Sequence, residues 1–184
     1  MKKWLTYLLC GVLCLSLVAC TADETKDDTT PTDDGEVQEN MYVPDKAVNR
    51  FLLDFKDATG LSLAGLNGGA YEGEYLLEVN LCEIRLTSTE LGVCATITGG
   101  KTTEDQKRMK TVFEAVCKAA DKSCTKEQLT AAKTWMDQQT EMAGEYRMSN
   151  GVKILSYTPL YKDETVQLDC SVRLLLMNYL PVAE

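Results

Sequence analysis

Three segments of the chain place apolar residues at the spacing of an amphipathic helix. The first covers residues 45–58 and is followed by Gly60, a residue type that commonly ends helices. The other two are separated only by the short connection 121–124, and each begins with a capping box. The two boxes are Thr103 with Gln106 and Thr125 with Gln128. The pattern therefore predicts one early helix and a later pair.

Alternation of apolar and polar residues predicts strands on both sides of the helix pair. Two strands, at about 75–86 and 91–98, precede it, and Asn150-Gly151 predicts a hairpin after it because both residues tolerate positive φ. The last strand alternates most regularly, so we expect one buried face and one wet face. Its apolar face consists of Val166, Leu168, Cys170, Val172, Leu174 and Leu176.

The register of the first two strands follows from which pairing sets apolar residues opposite one another. A four-residue loop, 87–90, pairs Leu86 with Leu91, Ile84 with Val93 and Cys82 with Ala95. A three-residue loop centred on Ser88 pairs Cys82 with Cys94 but sets Glu83 and Arg85 against apolar residues. We predict the first register, which disfavours a cross-strand disulfide. It leaves Leu77, Val79 and Leu81 on the other face, so either a bulge lies near Leu81 or both faces are covered.

These elements together predict a single domain over residues 41–184. The order is α-ββ-αα-βββ, which is typical of an α+β fold with an antiparallel sheet of about five strands and helices packed on one face. No named family is evident in this region.

The beginning of the chain has the pattern of a targeting segment. Lys2 and Lys3 precede an uncharged, largely apolar stretch that ends at Ala19, and an acidic segment follows directly. A basic start and a short apolar stretch are typical of a signal peptide, and the stretch is shorter than a membrane-spanning helix requires. We therefore assign residues 1–19 to a signal peptide.

The end of this segment, Leu17-Val18-Ala19-Cys20, resembles the lipobox of bacterial lipoproteins. The resemblance is confined to the first twenty residues. It implies that the chain is cut before Cys20, that the Cys20 thiol carries a diacylglyceryl group and that this residue becomes an acylated, palmitate-type N-terminus. The protein would then be anchored on the extracytoplasmic face of a cell membrane. The alternative is an ordinary secretory peptide with an incidental cysteine.

Residues 21–40 carry eight carboxylates and one lysine with hardly an apolar side chain. Such a segment buries too little surface to offset the entropy of ordering it. With Cys20 it forms a predicted disordered tether over residues 20–40, and a coil of this length spans about 25 Å. A solvated spacer is the favoured interpretation over a cation-binding segment.

Composition excludes several chemistries. The chain has no histidine, so there is no Ser-His or Cys-His nucleophile pair and no His-ligated metal. The net charge is −9 without a basic cluster, which argues against a nucleic-acid partner. No Cys-x-x-Cys occurs, so a zinc site is not expected, and no cofactor is predicted.

Five cysteines lie in the domain: Cys82, Cys94, Cys117, Cys124 and Cys170. Most fall on apolar faces, so buried free thiols are the favoured interpretation. A disulfide between Cys117 and Cys124 is the alternative, because these residues lie seven apart across a helix end.

Function is indicated only weakly by the domain sequence. Tyr71 and Tyr75 flank a glycine-rich loop and are candidates for a ligand-facing surface, although packing under the loop is the simpler role. We expect a non-catalytic binding or scaffolding module whose partner is an envelope protein or small ligand. The alternative is a carboxylate-dependent envelope hydrolase that uses two acids from Glu72, Glu74, Glu78 and Glu83.

Overall fold

A seven-stranded antiparallel sheet and three helices make up residues 41–161 and 168–181, the part of the chain that the computed structural model describes. The predicted signal peptide, Cys20, the tether and Val166 lie outside the described residues. The α+β class is confirmed. In chain order the elements are α1 (Lys46–Thr59), β1 (Asn67–Gly68), β2 (Glu74–Val79), β3 (Cys82–Thr89), β4 (Gly92–Thr98), α2 (Thr103–Ala120), α3 (Lys126–Asp137), β5 (Tyr146–Arg147), β6 (Val152–Thr158) and β7 (Ser171–Leu176).

The strands are arranged in the order β1-β2-β3-β4-β7-β6-β5, and every neighbouring pair is antiparallel. The prediction of about five strands in the order α-ββ-αα-βββ was wrong, because four strands rather than two precede the helix pair. Both edge strands are only two residues long.

The predicted strand at 75–86 is in fact a hairpin, with a turn at Asn80 and Leu81. Both residues have positive φ, 52° and 61°, which is the requirement of a two-residue type I′ turn. Leu77 and Val79 therefore face the same core as Cys82, whereas Leu81 is 70% exposed. Neither a bulge nor a second covered face is needed to explain the alternation.

The register of β3 against β4 also differs from the prediction. Leu86 pairs with Ala95 and Ile84 with Ile97, and the chain reverses over Glu90 and Leu91 alone. The predicted set of buried side chains is nevertheless correct except for Leu91, because a shift of the partner strand by four residues keeps every side chain on its face. The predicted pairing of Leu86 with Leu91 was wrong, and Leu91 is 67% exposed.

The hairpin predicted at Asn150-Gly151 is confirmed, but its turn differs from the type I′ geometry. Neither residue has positive φ. Asp121 holds the loop instead: its Oδ2 accepts hydrogen bonds from Ser149 Oγ at 2.7 Å and from the Gly151 amide at 3.2 Å, and its Oδ1 accepts one from the Ser123 amide at 2.9 Å. The residue that follows α2 thus fixes a hairpin thirty positions later.

The three helices begin close to where the sequence places them. Asp45 caps α1, Gly60 ends it with φ of 67°, and Thr125 with Gln128 caps α3 as predicted. The box of α2 is Thr102 with Asp105, one residue earlier than expected. Gln106 is thereby free to donate a hydrogen bond from Nε2 to the Tyr157 hydroxyl at 2.8 Å.

One face of the sheet forms a continuous core with the helices. A single row across the sheet contains Ile84, Ile97 and Val172, all fully buried. Phe51 of α1 and Phe113 of α2 are equally buried in the same cluster. Burial on this scale is the main source of stability in a domain of this size.

The last strand is shorter than the alternation predicts. Cys170, Val172, Leu174 and Leu176 are fully buried as expected, but Leu168 is 49% exposed and lies before the strand begins at Ser171. The apolar stripe therefore extends further along the sequence than the paired backbone does.

Candidate functional site: the open face of the sheet

The face of the sheet opposite the helices, called the open face here, carries polar and charged side chains. One row across it contains Arg85 of β3, Thr96 of β4 and Arg173 of β7, and both arginines are exposed. Two buried side chains on this face, Cys94 and Leu175, are not part of the helix-side core. The open face therefore also has two buried apolar sites among its charged side chains.

A cleft of about 690 Å³ lies at the end of the open face where β2 and β3 meet, and is called the β2–β3 cleft here. It is positioned by the Asn80–Leu81 turn, so the exposed Leu81 side chain lies at its margin. Its charged and apolar walls include Leu76, Glu78, Leu81, Glu83, Arg85 and Asp169. Three carboxylates against one guanidinium make this cleft acidic.

Arg85 organises the charges around the β2–β3 cleft. Its Nη1 lies 3.3 Å from Glu74 Oε1 and its Nη2 lies 3.0 Å from Glu83 Oε1. The hydrogen bond to Glu83 raises the pKa of Arg85 further above its usual range. Glu74 is buried, and its other oxygen accepts a hydrogen bond from the Ala70 amide at 3.0 Å. The role of Glu74 is therefore to close the glycine-rich loop.

Two acids of the cleft lie directly opposite each other. Glu78 of β2 pairs with Glu83 of β3, and facing side chains in antiparallel strands have Cβ atoms about 5 Å apart. Like charges at this position destabilise a hairpin. Of these two acids, Glu83 pairs with Arg85 whereas Glu78 enters none of the described ion pairs, so Glu78 contributes negative charge to the cleft.

A second groove of about 640 Å³, called the leucine groove here, lies on the open face at the opposite end of β3. Leu175 lies in it buried, whereas Leu91 and Leu180 are 67% and 54% exposed. Arg147 and Lys153 also line it, and Lys153 Nζ lies 2.6 Å from Glu145 Oε2. The described ion pairs do not include Arg147, so this groove carries a positive charge that none of them balances.

The two tyrosines that the sequence suggests as ligand-facing residues, Tyr71 and Tyr75, lie in different surroundings. Tyr71 is 75% exposed in the loop before β2. Tyr75 is half-buried and packs against the helix-side core, so it lies on the face opposite the β2–β3 cleft. Tyr75 therefore has the packing role, and only Tyr71 is available to a ligand.

Cys117 and Cys124 are free thiols in the structure, as are Cys82, Cys94 and Cys170. The Cys117 side chain points into the core, where its Sγ lies 3.9 Å from Met148 Sδ, and burial raises its pKa well above the usual range. The Cys117–Cys124 disulfide therefore stays a prediction, which thiol titration tests.

The sequence did not point to Leu81, Leu91 or Leu180 as surface residues. Leu81 interrupts an otherwise regular alternation, and this was the available signal for the turn. Leu91 directly precedes Gly92, whose φ of 138° and close approach to the Leu176 carbonyl admit no side chain. That glycine was the available signal for a tight reversal at residues 90–91.

No described group of side chains has the composition and proximity of a metal site. The described helices are also too short or too polar to cross a bilayer. Comparison with protein-family models, with curated proteins and with solved structures finds no match for this chain. The open face itself is therefore the feature from which a function can be inferred.

Proposed function

We propose that this protein is a bacterial lipoprotein anchored through Cys20 on the extracytoplasmic side of a membrane. Its domain acts as a non-catalytic binding or scaffolding module at the cell envelope. The basis for the anchor is the lipobox-like sequence, and the basis for the module is the open face.

The observation that carries the binding role is the conformation of Leu81. A leucine in the left-handed region is unfavourable by about 1 kcal/mol relative to glycine, and an exposed leucine gains nothing from burial within the domain. Strained residues concentrate at functional sites, where the strain is kept because the side chain has a use. Here the side chain lies at the margin of an acidic cleft.

The chemistry of the β2–β3 cleft defines the partner. Glu78, Glu83 and Asp169 favour positive charge, and Leu81 offers an apolar contact. The matching surface carries lysine or arginine next to an apolar side chain. Such complementarity gives specificity and a faster association rate more than it gives affinity.

A single substitution can separate binding from stability. Leu81→Gly relieves the backbone strain and removes the apolar contact, so we expect the free energy of unfolding to rise by about 1 kcal/mol while binding is lost. The measurement is capture of envelope proteins by the lipidated chain and by Leu81→Gly, with urea unfolding of both. Unchanged capture by a stabilised Leu81→Gly variant would contradict the binding role.

The anchor has its own test. Mass spectrometry of the mature protein should find Cys20 as the acylated first residue, and Cys20→Ser should abolish the modification. An intact residue 1, or an unmodified residue 20, contradicts the lipoprotein proposal without bearing on the cleft.

A second candidate function is favoured by the facing acids. The pairing of Glu78 with Glu83 places two carboxylic acids on one wall of the cleft, and glycoside hydrolases use two such groups about 5 to 10 Å apart. The test is turnover of chromogenic glycosides and of isolated cell-wall polymer by the wild type, Glu78→Gln and Glu83→Gln. Turnover that both substitutions abolish would replace the binding module by an envelope hydrolase, and no turnover would eliminate the hydrolase.

A further inference from the structure

The leucine groove lies at the other end of the open face from the β2–β3 cleft and has different chemistry. Two exposed leucines come together there from separate parts of the chain, Leu91 from the β3–β4 turn and Leu180 from the segment after β7. Leu175 and Met177 continue the apolar surface between them. Nothing in the acidic cleft resembles this combination.

We propose that the leucine groove is a membrane-contacting surface that seats on the lipid bilayer to which the protein is tethered. Leu91 and Leu180 enter the acyl boundary, and the Arg147 guanidinium binds lipid phosphate. This inference rests on the anchoring part of the proposed function, because the anchor keeps the domain near a bilayer.

The position of the leucines supports this occupant. Leu91 is the second residue of a two-residue reversal, so its side chain extends from a narrow tip. Apolar side chains at a turn enter a membrane interface while the backbone hydrogen bonds of the sheet stay intact. Burial of one leucine is enough to change a binding constant by about tenfold.

The charge of the groove supports the same occupant. Lys153 is paired with Glu145, whereas Arg147 enters none of the described ion pairs. A guanidinium matches phosphate oxygens in a bidentate arrangement. A basic side chain at the rim of an apolar patch is the arrangement by which proteins rest on phospholipid surfaces.

The length of the tether supports it as well. Twenty residues separate Cys20 from Met41, and a chain of that length can reach at most about 70 Å. That limit exceeds the diameter of about 40 Å that is typical of a globular domain of this size, so an anchor at Cys20 leaves the leucine groove free to meet the bilayer.

The test uses the chain from Thr21, which lacks the lipid-bearing Cys20, so that flotation reports the groove and not the anchor. This chain retains the whole described core, which lies between Val43 and Tyr179. We expect it to float with vesicles of phosphatidylcholine containing a minor share of phosphatidylglycerol. Leu91→Asp combined with Leu180→Asp should weaken binding at least about tenfold, and Arg147→Gln about fivefold.

The matched control is Leu81→Asp. Leu81 is as exposed as Leu91 and is also the second residue of a two-residue turn, but it lies at the opposite end of β3. We expect its variant to float like the wild type. Failure of the wild type to float, or an equal loss for Leu81→Asp, overturns the proposal, and unaltered binding of Arg147→Gln contradicts the phosphate contact.

A second readout follows the turn directly. Tryptophan emission should shift to the blue on vesicle addition for Leu91→Trp and stay unshifted for Leu81→Trp. A dimer that forms through Leu91 and Leu180 while the chain fails to float would show that a second copy fills the groove, which also overturns the proposal. None of these results depends on whether Cys20 is acylated or whether the β2–β3 cleft binds a partner.

Discussion

Gly99 shows how a single missing side chain allows the sheet and α2 to pack together. It lies just after β4, where its amide donates to the Cys170 carbonyl at 2.8 Å. A Cβ at this position would lie 2.8 Å from Cys170 Sγ and 3.1 Å from the Asp105 carbonyl oxygen. There is no room for it without displacement of the α2 N-terminus.

Gly99→Ala should therefore destabilise the protein by about 2 kcal/mol through overpacking. Urea unfolding followed by circular dichroism measures the change. Gly144→Ala is the matched control, because a Cβ there meets nothing within 4 Å, and it should leave the midpoint unchanged. Equal midpoints for both variants would show that the packing at Gly99 is looser than described.

Asp121 stabilises the β5–β6 loop as an ionised group. Burial raises the pKa of its carboxyl, but hydrogen bonds from Ser123, Ser149 and the Gly151 amide outweigh this effect, and the net pKa is lowered. A lowered pKa means stability that is present above the ordinary value of 3.8 and lost as the pH falls through the folded value. Asp121 thus contributes to acid sensitivity.

Asp121→Asn should destabilise the protein by about 2 kcal/mol at neutral pH, because an amide cannot accept all of these hydrogen bonds. The difference from the wild type should shrink in acid. Unfolding midpoints at neutral pH and at acidic pH provide the measurement. Asp57→Asn, at an exposed residue that enters none of the described ion pairs, serves as the control, and a comparable loss there would contradict a special role for Asp121.

At the scale of elements, Glu114 links the two consecutive helices. Its carboxylate lies 2.7 Å from Lys118 Nζ on α2 and 2.8 Å from Lys133 Nζ on α3. Hydrogen bonds from Lys118 and Lys133 lower the pKa of Glu114 to about 2. The stabilisation is therefore complete above about 4.5 and disappears as the pH falls towards 2.

Glu114→Gln should cost about 1 kcal/mol at pH 7, a modest value because the three side chains remain partly solvated. The difference in unfolding free energy between the wild type and the variant should therefore disappear as the pH falls from about 4.5 to about 2. Paired urea titrations across that range test the prediction. A constant difference at every pH would mean that packing, not charge, carries the effect.

The elements also show which parts of the fold a sequence can and cannot specify. The alternation of apolar and polar residues identified the buried faces of β3 and β4, because side chains on one face of a strand recur every two residues. Alternation alone cannot distinguish registers that differ by an even number of residues. The two-residue turn at Glu90 and Leu91 was therefore missed. The turn at Asn80 was missed because leucine, not glycine, follows it.

At the scale of the whole molecule, the thiols provide a test of how firmly the domain is closed. Cys82, Cys94, Cys117 and Cys170 are buried, and Cys124 is half-buried. In the native chain from Thr21, Cys124 should react first with a thiol reagent, and the other four should react only on unfolding. Burial also raises the pKa of Cys170 to about 11, which slows its reaction further.

Titration in denaturant without reductant should yield five thiols. Three thiols, restored to five by reduction, would establish a disulfide, and peptide mapping would show whether it joins Cys117 to Cys124. Fast reaction of all five in the native state would contradict the burial described for the core.

The candidate site could not be predicted from the sequence, because the sheet topology brings together strands that are far apart in the chain. The open face combines β2, β3, β4, β7 and β6, and β7 enters the sheet beside β4 although about seventy residues separate them. This insertion brings Leu175 and Leu180 into the same groove as Leu91, and Asp169 into the same cleft as Glu83. The lipobox-like sequence, in contrast, is local and needs no fold to be noticed.

The two-residue edge strands have a consequence for a protein crowded on a surface, as the proposed anchor would place it. Exposed, unpaired strand edges are templates on which neighbouring chains add to form intermolecular sheets. β1 and β5 expose only a very short length of such backbone at each end. Molecules crowded in two dimensions could thus collide edge to edge without polymerising into fibrils.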